Sequence, residues 1–154
     1  MSLVGTAMRR GPESTVAVLL QHLREGLRLD LRRYGELRAL LEGQFGAALA
    51  HDPVRMGELS AAILALSDEF EVTRLRRHEL LVALLGRGTP THLRALVERL
   101  PDAAAEPLLT LWRQLETALS ECKALNLRNC ELISEQQALM QQLLGREEHV
   151  YAQP

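Results

Sequence analysis

Five histidines, two cysteines and twenty carboxylates are the side chains here that could hold a metal, pass a proton or attack a carbonyl. Their spacing supports none of these. His22, His51, His78, His92 and His149 share no metal-like interval with one another or with a cysteine. Cys122 and Cys130, placed on one helix, lie about 80° apart around its axis and about 12 Å along it. That is too far for a disulfide, so two reduced thiols are expected. Gly86-Arg87-Gly88-Thr89 lacks the Lys-Ser/Thr pair and the preceding strand of a phosphate loop. No serine, histidine and aspartate form a nucleophile motif. The chain is therefore read as a non-enzyme with no metal and no cofactor.

The chemistry that remains is non-covalent. Asn126, Asn129 and Gln136 fall on a leucine-rich helical stripe with Leu125, Leu132, Ile133 and Leu143. Asparagine is a poor helix former and costs free energy in an apolar core. A stripe of leucines and carboxamides can pack against a partner helix and still tolerate water without one. The alternative is a pair of polar residues that set register inside a closed bundle. Tyr151, in a polar stretch beyond Gly145, is a candidate anchor for a separate partner.

The elements that must position these residues are helices. The chain has 154 residues, of which 47% are hydrophobic and only 3% aromatic. Leu, Ala, Arg, Glu and Gln dominate and β-branched residues are sparse, which favours long helices over sheet. A first apolar stripe runs from Val16 through Leu23, Leu27, Tyr34, Leu41 and Ala48 in steps of three and four. Asp30 interrupts it, and Gly43 and Gly46 could bend it. Ser14 is its expected N-cap. His51-Asp52-Pro53 supplies a break, a cap and a helix-starting proline. A second stripe follows through Leu59, Ile63, Leu66, Phe70, Leu81 and Leu84, weakened where Thr73 and Arg77 fall on it. Gly86-Arg87-Gly88 ends it, and Thr89-Pro90 restarts a short helix. The last stripe includes Leu108, Trp112, Leu115, Cys122, Leu125, Asn129, Gln136 and Leu143, and Gly145 is read as its stop.

The expected fold is all-α: an elongated antiparallel helical bundle or coiled coil with three long helices and one short one. The helices are placed at about 14–50, 54–85, 90–99 and 104–144. Residues 13–145 form a single domain, flanked by flexible tails at 1–12 and 146–154. A net charge of −2 gives no general attraction to nucleic acid or an anionic membrane. Arg24, Arg28 and Arg32 form a basic ladder that is diluted by Glu25 and Glu36. No run reaches the ~20 apolar residues of a membrane span, and Met1 to Gly11 lacks the apolar core of a secretion signal.

The pattern resembles the FlgN family of flagellar export chaperones. The resemblance rests on Trp112, Leu125-Asn126-x-x-Asn129-x-x-Leu132-Ile133, Gln136-Gln137, Leu143-Leu144 and Tyr151. Glu42, Ala48-Leu49, Asp52, Arg76-Arg77 and Leu80-Leu81 agree in outline. It implies a cytoplasmic, non-enzymatic chaperone that holds the hook–filament junction proteins FlgK and FlgL before export. By the same resemblance Leu125, Asn126, Asn129, Leu132, Ile133, Gln136 and Leu143 would line the client groove. Tyr151 would dock at the export gate protein FlhA. The competing expectation is a self-associating coiled-coil module without a client.

Overall fold

The computed structural model describes residues 12–152, with side chains from 15 to 150. Four helices carry the described chain: α1 (Pro12–Leu49), α2 (Pro53–Leu85), α3 (Leu93–Val97) and α4 (Asp102–Ala152). No strand occurs among the described residues, and the all-α expectation holds. Of the N-terminal tail expected at 1–12, residues 1–11 lie outside them, and Pro12 belongs to α1.

α1 is one unbroken helix, about 57 Å long at 1.5 Å per residue. It does not break at Gly43 or Gly46. It starts at Pro12, so Ser14 stands inside the helix and does not precede it. The α1–α2 turn is as compact as its sequence suggests. His51 adopts a left-handed conformation with φ 52°. Its N–H donates to Ala48 O, and the Asp52 N–H donates to Ala47 O. This pair of bonds satisfies the last carbonyls of α1. The Asp52 carboxylate then accepts the Arg55 N–H at 3.0 Å and caps α2, with Pro53 in its first turn.

The interruptions read on α1 and α2 face one another. Asp30, 4% exposed, receives Arg77 at 3.0 Å and Arg33 at 3.4 Å. Thr73 donates to Glu69 O and accepts from Arg33. Charges that weaken each stripe separately thus lock the antiparallel pair together. The Tyr34 and Phe70 rings sit beside this node, 4.5 Å apart.

Two further expectations are corrected. The short helix spans 93–97, and His92, not Thr89, caps it: His92 Nδ1 accepts the Ala95 N–H at 3.3 Å. Thr91 is held instead by His78, at 3.2 Å. α4 does not stop at Gly145 but continues to Ala152. Gly145 is not in a left-handed conformation. Its helix penalty of about 1 kcal/mol is spread among good formers, Leu143, Leu144, Arg146 and Glu147. Residues 146–152 are therefore helix where a flexible tail was expected.

The apolar core gathers where all four helices meet. Leu23 and Leu27 of α1, Leu81, Leu84 and Leu85 of α2, Leu93 and Leu96 of α3, and Leu108 and Leu115 of α4 are buried there. Trp112 packs at its edge. α1 is the spine: α2 and α4 each pack along it, while their own Cα atoms nowhere come within 8 Å of each other.

Candidate functional site

α4 runs parallel to α1 in a constant register. Cys122 Sγ donates to Tyr34 O at 3.6 Å, Asn129 Nδ2 to Leu41 O at 2.7 Å, and Gln136 Nε2 to Ala48 O at 2.9 Å. Each pair is 88 residues apart, and successive donors are one heptad apart. A helix carbonyl has a second lone pair after its own helix bond, so α1 can accept all three. These donors fix α4 along α1 in a way that leucines alone would not.

Asn129 is the most tightly held of the three. It is 1% exposed, and its amide also donates to Gln44 Oε1 at 2.9 Å. Its oxygen accepts from Arg128 at 3.3 Å. Arg128 in turn pairs with Glu42 at 3.2 Å and stacks 3.8 Å above the Phe45 ring. Among the described residues no buried side-chain nitrogen or oxygen lacks a partner. Burial raises the Cys122 thiol above its usual pKa, with a smaller contribution from Glu121. Burial also raises Tyr34, and Asp30 adds to the effect.

The residues singled out in the sequence are therefore divided by the fold. Asn129 and Gln136 point into α1. Leu125, Leu132 and Ile133 are half-buried beside them, and Asn126 is exposed on the flank facing α2. The 88-residue register carries Leu143 to position 55, past the end of α1. From Gln137 to Val150 every residue of α4 is exposed. Leu139, Met140, Leu143, Leu144 and Val150 are 49% to 69% exposed. They continue the same strip with nothing from α1 beneath it. Leu139, Met140 and Leu144 belong to the last stripe or the family pattern in the sequence but were not placed among the groove residues. The structure exposes them because α4, with 51 residues, outruns α1, with 38. The side chain of Tyr151 lies outside the described residues.

A seam satisfied inside the bundle and prolonged as a bare apolar strip defines a helical bundle in which one helix outruns its partner. A family model described as FlgN protein matches residues 16–145, and the chain belongs to the FlgN family. It is thereby a flagellar export chaperone, of a kind that binds flagellar export substrates. No curated protein and no solved structure matches it. Among the described residues, no helix is long and apolar enough to cross a membrane.

Proposed function

We propose that this chain acts in the cytoplasm as the escort of the hook–filament junction proteins FlgK and FlgL. It holds their C-terminal helical segments until export and so prevents premature assembly. The observation that carries this reading is the bare end of α4, where Leu139, Met140, Leu143 and Leu144 prolong the strip that packs on α1. A client segment with its own apolar stripe covers that strip in the manner of a helix laid into a groove. Each leucine-sized side chain brought out of water contributes roughly 25 cal/mol per Å² of apolar area. Ordering the client offsets much of this, which suits a partner that must be released.

Leu125, Leu132, Ile133 and Leu143 then supply apolar contact to the client, and Asn126 supplies a polar rim. Asn129 and Gln136 keep the helix seated on α1, and they meet a client only if α4 lifts. Tyr151 is the proposed contact with the export gate protein FlhA.

The test is calorimetry with peptides from the C-termini of FlgK and FlgL. Leu139→Asp with Leu143→Asp should abolish binding and leave the helix content intact; undiminished binding would refute the client assignment. Tyr151→Ala should spare the client and weaken capture of the FlhA cytoplasmic domain. If gate capture is unchanged, the tail has no such role.

A further inference from the structure

The separation of α2 from α4 leaves a furrow above α1, and α3 fills only one end of it. α3 lays Leu93 and Leu96 into the gap, between Leu81 and Leu85 on one side and Leu108 on the other. Two hollows lie along the furrow, one of about 470 Å³ against His92, Leu93 and Arg94 and one of about 260 Å³ further from α3. One face of α2 walls both: Leu81, His78 and Arg74 beside the first, Phe70, Ser67 and Ile63 beside the second. The steps of three and four make this a single helical face. α4 supplies the opposite wall with Trp112, Leu119, Lys123 and Asn126, and α1 the floor with Leu37 and Leu41. From residue 63 to residue 81 the furrow is about 27 Å long, or some five helical turns.

Its charge is one-sided. No carboxylate lines either hollow. Arg74 is neutralised by Glu71 at 2.7 Å and Arg77 by Asp30 at 3.0 Å. Arg94 and Lys123 have no ion-pair partner among the described residues, and both are exposed. Lys123 is the only lysine in the chain. An apolar floor between uncompensated cations selects for a helix with an apolar stripe and acidic flanks.

We propose that this furrow is a second docking surface, whose occupant is an acidic amphipathic helical segment of a partner protein, laid end to end with α3 between α2 and α4. The partner extends the packing that α3 begins, placing apolar residues over Leu37, Leu41 and Phe70 and carboxylates toward Arg94 and Lys123. The surface lies apart from the bare end of α4, shares only Asn126 with the client contacts proposed above, and does not depend on that client.

Trp112, the only tryptophan, lines the furrow and reports its occupancy. The probe is a synthetic 15-residue, tryptophan-free helical peptide with leucines at heptad spacing flanked by glutamates. A control peptide carries lysines in place of the glutamates. The acidic peptide should shift Trp112 emission saturably, and the basic peptide should not. Arg94→Glu combined with Lys123→Glu, two exposed positions, should weaken the acidic peptide at least tenfold and admit the basic one, with unchanged circular dichroism. The proposal is overturned if neither peptide perturbs Trp112, or if both bind alike. It is also overturned if Leu139→Asp with Leu143→Asp removes the binding. A dimer in sedimentation that excludes the peptide overturns it too, in favour of a second copy of the chain as occupant.

Discussion

Asn126 and Asn129 have the same chemistry, three positions apart, and opposite situations. Asn129 spends its whole amide inside the bundle, whereas Asn126 faces solvent at the furrow rim. Asn129→Ala removes the donor to Leu41 O and to half-buried Gln44 Oε1 and should cost about 1–3 kcal/mol. Asn126→Ala should stay within about 0.5 kcal/mol. Urea unfolding of the two variants distinguishes them. The thiols divide in the same way: Cys130 is exposed and Cys122 buried with a raised pKa. An aromatic disulfide reagent should titrate Cys130 at once and Cys122 only on unfolding. Raised pKa values also fix the alkaline behaviour. Below their unfolded values, about 8.5 for a thiol and 10 for a phenol, Cys122 and Tyr34 are protonated in both states. Above those values the unfolded chain ionises first, so their contribution to stability declines as pH rises. Tyr34→Phe should flatten the loss of thermal midpoint above pH 10.

At the scale of elements, the hairpin tip and the glycines of α1 hold stability in reserve. His51 occupies a left-handed position that costs an L-residue about 1–2 kcal/mol. His51→Gly should raise the midpoint by about 2–4 °C, measured by scanning calorimetry. An added Cβ at Gly46 meets nothing within 4 Å, whereas at Gly43 it meets Leu59 at 3.3 Å. Gly46→Ala should therefore stabilise by about 0.5–1 kcal/mol, and Gly43→Ala should gain less. These elements were largely legible in the chain. Asp52-Pro53 marks the α1–α2 turn, and the three- and four-residue steps of leucine mark each helix, because both signals are local. Gly145 was misleading for the same reason: a glycine ends a helix only if its backbone turns left-handed, and the residue type alone does not decide that.

For the whole molecule, what escaped the sequence is what depends on register between distant segments. The 88-residue offset that seats Asn129 and Gln136 has no local mark, nor has the separation of α2 from α4 that opens the furrow. Asp30, Thr73 and Arg77 look like flaws until the two helices are laid side by side. The bare end of α4 follows from the unequal helix lengths once that offset is fixed. Residues 137–150 are all exposed, so removing residues 138–154 should leave the midpoint within about 2 °C while abolishing client capture.

The turn at His51 also acts as a ruler. Where α1 reverses decides how many leucines of α4 stay uncovered. Adding one heptad to α1 and a matching one to α2 would slide the turn along α4 and roof over Leu139 and Leu143. Client capacity would then vary with the length of the α1–α2 hairpin.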